Sequence, residues 1–351
     1  MFYTGYRISF SHTKTKLVYN RIILTLEVIM RVLVVGGAGY IGSHTVYELI
    51  KDRQEVIILD NLSSGYMELV HPEAKFYKGD IRNKEDIAAV FKQEKIDVVM
   101  HFAAKIVVPE SVNEPLDYYH NNVEGVRTLL EAMNEFNVKK LVFSSTAAVY
   151  GEASGVCLET DATKPINPYG ETKLATEKMI HWVANAHGFN YVIFRYFNVA
   201  GADQSLKIGL MKDQLTHLIP VAIQGIIGLR DHLTIYGNDY PTKDGTCVRD
   251  YIHVSDLAYA HVLGARYLNS GGKSEIMNLG SNSGYTVLEV AQAVNEIAPL
   301  KYIIGPRRDG DPAELIASND KARNILNWIP KYTLKDIVQS DYNYRKKISN
   351  R

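Results

Sequence analysis

Cysteine is scarce here: 351 residues hold only Cys157 and Cys247. They lie far apart and form no Cys-x-x-Cys pattern, which excludes a disulfide framework and a zinc ribbon. That usage fits a reducing, cytoplasmic setting. Neither sign of charge is in surplus, with 39 basic and 39 acidic residues. The balance offers no basic face for nucleic acid and no acidic tail. No apolar run approaches the ~18 residues of a membrane span, so no membrane partner is expected. The 11 histidines form no His-Glu-x-x-His pattern, so metal chemistry has no support. What remains is 46% hydrophobic and 22% charged, the composition of a globular chain. Its length suits one large or two modest domains.

Residues 1–29 stand apart. They have some basic character and a short apolar patch from Ile22 to Ile29, without a small-residue cleavage site. Regular patterning starts directly after Met30. Leu26-Glu27-Val28 can be encoded by a stretch that contains a ribosome-binding sequence just before the Met30 codon. The expectation is that Met30 is the true start and that 1–29 is a non-native or disordered extension.

From Arg31 apolar runs alternate with helical patterns. The strands expected are Arg31–Gly36, Glu55–Asp60, Lys75–Tyr77, Ile96–His101, Lys140–Ser144 and Tyr191–Tyr196. Most are continuously apolar, as strands buried on both faces are. The helices expected are Tyr40–Lys51, Lys84–Glu94, Leu116–Phe136 and Pro168–His187. This order predicts an α/β fold, a Rossmann-like doubly wound parallel sheet. After Asn198 glycine, proline and aspartate become frequent and the strands shorten. A smaller α/β C-terminal substrate domain is expected from 199–247 and 280–351. The first domain would then be 30–198, with 248–279 packing back onto it.

Gly36, Gly39 and Gly42 sit between the first strand and the first helix. In that context glycines allow a tight turn and a close approach to a pyrophosphate, which the helix N-terminus attracts. The second strand ends in Asp60, whose carboxylate suits the ribose hydroxyls of NAD and repels the extra phosphate of NADP. Asp80 ends the third strand and has two readings. It could bond an adenine amino group, with Ile81 on the ring, or cap the next helix. The small residues of "HFAAK" (101–105) would let a cofactor cross the strand ends.

The stretch "NPYGETK" (167–173) places Tyr169 and Lys173 four apart on one helix face, behind an Asn167 cap and Pro168. A phenol with a pKa of about 10 is a poor base at neutral pH. A neighbouring ammonium, joined by a nicotinamide cation, would favour the phenolate. The same spacing is common on solvated helix faces. Ser144-Ser145-Thr146, at the end of the fifth strand, adds a hydroxyl that could bond substrate and phenol, or merely cap the strand.

Together "GGAGYIGSH", "LDNLSSG", "GDIRN", "HFAA", "SSTAAVYG", "NPYGETK", "RYFNVAGAD", "YGNDYPTKDGTCVRDYIHV" and "RRDGDPA" resemble the extended short-chain dehydrogenase/reductase family over about 31–345. The resemblance implies interconversion of UDP-galactose and UDP-glucose by transient oxidation at sugar carbon 4, with tightly held NAD. It implies Tyr169 as base, with Thr146 and Lys173 beside it. It places Tyr40 and Ile41 at the pyrophosphate, and Asp60, Asn61, Leu62, Ser63, Ser64 and Gly65 at the adenosine ribose. Asp80 and Ile81 would meet adenine; Phe102, Ala103, Ala104, Asn121 and Phe197 would line the rest of the cofactor path. Asn198, His217, Leu218, Tyr236, Arg249, Arg308 and Asp311 would bind the UDP-sugar. It also implies a homodimer formed through the patterns at 116–136 and 168–187.

Three departures from the family pattern matter. Lys105 sits one place early, with Ile106 in the family's lysine position. Thr146 stands where some relatives have serine. Leu315 stands where some have a bulky tyrosine, which implies acceptance of N-acetylated UDP-hexosamines. Ala147-Ala148 replace the Asp-Glu of related dehydratases and argue against dehydration. A uronate epimerase, a decarboxylase or a net dehydrogenase acting on nucleotide sugars is the alternative.

Overall fold

The computed structural model describes residues 29–349 apart from 154, 212–214 and 309–310. The expectation for residues 1–29 lies outside the described residues except at Ile29.

Seven parallel strands form the main sheet. In chain order they are β1 (Arg31–Val35), β2 (Glu55–Asp60), β3 (Lys75–Lys78), β4 (Val98–His101), β5 (Lys140–Thr146), β7 (Asn190–Tyr196) and β12 (Glu275–Leu279); in space the order is β12-β7-β5-β4-β1-β2-β3. Inner strands such as β4 are buried at every residue, while the edge strand β3 has no fully buried residue. The order reverses between β1 and β4, so a crevice opens at their C-terminal ends, where such sheets bind ligands.

Helix α1 (Tyr40–Lys51) follows β1 and packs against α8 (Val254–Asn269) on one face. On the other face lie α2 (Lys84–Gln93), α5 (Gly125–Glu135) and α6 (Pro168–His187). Asn167 caps α6 by accepting from the Gly170 N–H at 2.9 Å, and Gly188 ends it in the left-handed region at φ 69°.

Leu116–Phe136, expected as one helix, is interrupted. A short helix α4 (Pro115–Tyr119) runs into a π turn (His120–Glu124) and then into α5, preceded by an unforeseen helix α3 (Val108–Asn113). A π turn frees backbone carbonyls, which need other partners. Here the Asn122 carbonyl accepts from Thr176 Oγ1 at 3.2 Å on α6. The Asn122 amide also clasps the Lys105 backbone, at 2.8 and 3.0 Å.

The segment 248–268 begins as two short strands, β10 (Val248–Arg249) and β11 (Tyr251–His253), before α8. Strands β13 (Tyr285–Thr286), β10, β15 (Glu314–Ala317) and β6 (Gly155–Cys157) make a second sheet in that order. A separate two-stranded sheet joins β14 (Tyr302–Gly305) to β9 (Leu233–Tyr236). The main core also takes in Ala322, Leu326 and Trp328, whose indole donates to the Asp256 carbonyl at 3.0 Å.

Candidate active site

The glycine turn closes on itself. A Cβ at Gly42 would meet the Gly36 oxygen at 2.1 Å, and one at Gly36 (φ 81°) would meet the Ala103 nitrogen at 2.6 Å. Only glycine fits either place. At Gly39 the sole close atom is the Gly36 oxygen, at 3.4 Å, and Gly39 offers no side chain to the first turn of α1. That first turn can therefore give its N–H groups to an anion, which is what the diphosphate of NAD requires. The neighbouring Tyr40 donates to the Gly201 carbonyl at 2.6 Å, and burial raises its phenol pKa well above the usual value. Ile41 packs on the core.

Asp60 accepts from the Ala38 and Leu62 N–H groups at 2.9 and 2.8 Å, one on each oxygen. Burial pushes its pKa up, against these bonds. Leu62 adopts φ 61° to reach its place, and the Ser63 N–H is turned back onto Asn61 at 2.9 Å. Ser63 and Ser64 are exposed, with Gly65 half-buried beside them. Asp80 is gripped by Arg82 at 2.9 and 2.7 Å and by Asn61 at 2.9 Å. The Arg82 guanidinium holds its carboxyl well below the usual carboxylate range. The cap of α2 is Asn83, not Asp80. Ile81 is turned into the core, where its Cδ1 atom would lie 2.6 Å from a Cβ on Gly125. Phe102, Ala103 and Ala104 are half-buried at the end of β4, and the Phe102 ring lies 4.8 Å from His261. Asn121 sits in the π turn and donates to Asn122 at 3.0 Å.

Thr146 closes β5 and caps the turn Ala147–Tyr150, accepting from the Ala148 N–H at 3.1 Å. Its side chain also acts on the Tyr169 phenol, opposing the rise of that group's pKa. Lys173 is buried; its Nζ donates to the Ser144 carbonyl at 2.8 Å and lies 4.8 Å from the Phe143 ring centroid. The expectation of a phenol lowered by Lys173 differs from what the chain alone provides. Burial pushes Tyr169 up to about 12, with the Thr146 side chain opposing. Burial pushes Lys173 down to about 7, with the Glu177 charge opposing. In a dry site each group favours its neutral form, and an added positive charge there would draw the phenol down. Lys105 pairs with Glu110 and Asp117.

Among the residues expected to meet a UDP-sugar, Arg249 donates to Asp311 at 2.9 Å and to the Pro312 carbonyl at 2.8 Å. The Arg308 guanidinium lies 4.0 Å from the Tyr236 ring centroid, and the Asp311 N–H donates to the Arg308 carbonyl at 3.3 Å. Asn198 in β8 (Asn198–Ala200) donates to the Asp250 carbonyl at 3.1 Å. His217 precedes α7 (Leu218–Ile226), and Leu218 packs on a second core. Leu315 and Phe197 pack on the cluster of Ala147, Tyr150 and Leu174, beside the Thr146–Tyr169 pair.

Sequence reasoning missed the group behind this pair. Arg195 holds Glu177 through two bonds at 3.1 and 2.6 Å, and Ser145 donates its hydroxyl to the same carboxylate. Arg195 also reaches the Tyr150 hydroxyl at 3.1 Å, which donates to Asn278 at 2.7 Å. The available signal was Glu177, a third polar residue at the spacing of Tyr169 and Lys173. Among the described residues no three His, Cys, Asp or Glu side chains cluster as a metal site, and no helix is long and apolar enough to cross a membrane.

A profile of the NAD dependent epimerase/dehydratase family matches residues 32–280. The chain is 51% identical to a UDP-glucose 4-epimerase of Lacticaseibacillus casei over 321 residues, 90% of this chain and 97% of that one. A crystal structure of a UDP-glucose 4-epimerase superposes with a TM-score of 0.90 at 48% identity, covering 91% of this chain and 98% of that one. The UDP-glucose 4-epimerase of Bifidobacterium longum, solved in complex with NAD+ and UDP, gives 0.84 at 38% identity, covering 91% and 99%. The profile takes in both the glycine turn and the Thr146–Tyr169–Lys173 group, and the likeness to these enzymes runs over nine-tenths of the chain. The chain belongs to the NAD dependent epimerase/dehydratase family.

Proposed function

We propose that this chain interconverts UDP-galactose and UDP-glucose through transient oxidation at sugar carbon 4. One observation carries the reading. Arg249 and Leu315 are Cα partners in adjacent strands, and Leu315 packs on the cluster beside Thr146 and Lys173. A diphosphate held at Arg249 thus sets its sugar beside the Thr146–Tyr169 pair. Guanidinium suits that diphosphate, and Arg308 stands ready as a second. Tyr236 and Asp311 would take the uridine, with Asn198, His217 and Leu218 around it.

NAD, when bound across the β1–β4 crevice, supplies a reversible hydride acceptor. Gly36 to Gly42 would hold its diphosphate, and Asp60 with the loop to Gly65 its ribose. Thr146 holds the sugar oxygen that Tyr169 deprotonates and later reprotonates on the opposite face. Lys173 supports the phenolate and binds the nicotinamide ribose. In this reading residues 30–198 with 248–279 hold the cofactor, and 199–247 with 280–351 the UDP-sugar.

Leu315 leaves room near the sugar's 2-position, so N-acetylated UDP-hexosamines enter as well. Two chains pair through α4, α5 and α6, where Leu116 (83% exposed) and Trp182 (71%) present apolar surface. Cys157 and Cys247 are buried thiols, suited to a reducing, cytoplasmic compartment.

The test is to give the purified protein UDP-galactose without added NAD and to follow UDP-glucose by chromatography. An equilibrium mixture is expected, and Tyr169→Phe should lower turnover by about 10²–10⁴-fold. Stoichiometric reduction of added NAD would instead mean a net dehydrogenase. Leu315→Tyr should suppress turnover of UDP-N-acetylgalactosamine while sparing UDP-galactose. A monomer in sedimentation at micromolar concentration would remove the dimer.

A further inference from the structure

We propose that Ser145 and Glu177 are positioning residues: their hydrogen bond sets the strand end carrying Thr146 against the helix carrying Tyr169. The inference rests on the epimerase reading above. Three consecutive residues of β5 each engage α6. The Ser144 carbonyl accepts from Lys173 at 2.8 Å, the Ser145 hydroxyl donates to Glu177, and the Thr146 side chain acts on the Tyr169 phenol. On the helix Tyr169, Lys173 and Glu177 are spaced by four, so one stripe of α6 faces the strand end, in an order that differs from the order along the strand.

The Ser145–Glu177 contact has the firmest anchor. The Glu177 and Arg195 side chains are 3% and 5% exposed, and Arg195 grips both carboxylate oxygens. Arg195 comes from β7, the strand beside β5. Tyr150 and Asn278 carry the chain of bonds on to β12, and the Asn278 N–H donates to Glu159 at 2.7 Å. The Ser145 hydroxyl is thus referred to three elements at once. A buried ion pair of this kind is a weak source of net stability, because desolvation offsets its attraction. What a fully bonded one does provide is fixed geometry. Thr146 is the next residue along the strand, and its side chain is what opposes the rise of the Tyr169 phenol. A strand end free to shift by a fraction of an ångström would loosen the approach of Thr146 to Tyr169 and its grip on the sugar oxygen.

Ser145→Ala isolates the contact, since Glu177 keeps Arg195 and the fold is spared an unpaired buried charge. Ser145→Cys, similar in size but a weak donor, is the second variant. Two readouts are needed: a double-mutant cycle with Thr146→Val on kcat and KM for UDP-galactose, and amide hydrogen exchange over residues 144–148. Either Ser145 variant is expected to lower kcat about tenfold with KM little changed. Thr146→Val should lower kcat about 10²-fold, and adding Ser145→Ala should lower it no further. Exchange over 144–148 should quicken while that of α1 and α8 stays as in the parent. A multiplicative loss in the double variant, an unchanged kcat or unchanged exchange would each overturn the proposal. If the parent does not epimerise, the functional reading has failed, and exchange alone still decides whether this bond fixes the strand end.

Discussion

Behind the catalytic strand end, Glu177 and Arg195 meet at 3% and 5% side-chain exposure. Around the proposed UDP-sugar site Arg249 and Asp311 meet at 12% and 33%, and Arg307 and Asp239 at 43% and 70%. The first pair is enclosed by three strands and the core helix α6, and its bonds are redundant. The second set lies on short strands and loops, and Arg308 covers the face of Tyr236. An enclosed charge pair keeps its geometry because neither partner can reach water. An exposed one exchanges partners at little cost. A site that turns a sugar over while gripping its nucleotide has use for both kinds: a fixed hydroxyl pair, and arginines that can leave one partner for a diphosphate.

The largest effect expected in breaking this contrast is on stability. Arg195→Met leaves Glu177 buried without its cation and should cost about 3–5 kcal/mol in urea unfolding. A loss below about 1 kcal/mol would mean that the enclosed pair is no more rigid than a surface one. Next, Arg249→Ala should raise KM for UDP-galactose roughly 10- to 100-fold, from the loss of charge-assisted bonds to diphosphate, with little change in melting. If melting fell as it does for Arg195→Met, the two regions would not differ in kind.

The smallest effect concerns pH. His101 ends β4, is buried with both ring nitrogens unpartnered, and stacks on Phe143 at 5.5 Å. Burial, then the Lys173 charge, lowers its pKa from 6.5 to about 3. A lowered folded value means that the unfolded chain binds the proton first, so this contribution is present above pH 6.5 and fades as pH falls toward the folded pKa. His101→Phe removes it. Between about pH 7 and pH 5.5 the parent should therefore lose roughly 1.4 kcal/mol more stability than the variant, read from urea midpoints. Equal losses would place His101 in contact with water.

Much of the enclosed region was legible in the sequence. Continuous apolar runs gave the inner strands, and Asn167 and Pro168 opened α6 by local chemistry alone. The glycine turn and the Tyr169–Lys173 spacing were visible for the same reason: each depends on residues close in the chain. What was not legible depends on distant partners. The π turn exists because Asn122 is claimed by Lys105 and Thr176, and no helical periodicity records that. Glu177 reads as one more polar residue until β7 brings Arg195 to it. The short strands β10 and β11 have too few residues to declare a period. The protonation of Tyr169 turned on burial, which spacing does not measure.

The strand β6, only Gly155–Cys157, pairs with Ala317 and its neighbours in β15. Early chain thus waits for late chain. During synthesis the first half of the nucleotide-binding sheet can collapse, but its edge strand β12 and the core residues Ala322, Leu326 and Trp328 have yet to emerge. Leu315, packed on the cluster that contains Ala147 and Leu174, emerges almost as late. The enzyme is therefore assembled near the end of translation, and a ribosome that stalls before about residue 330 releases no half-working fragment, only a polypeptide with an unfinished core.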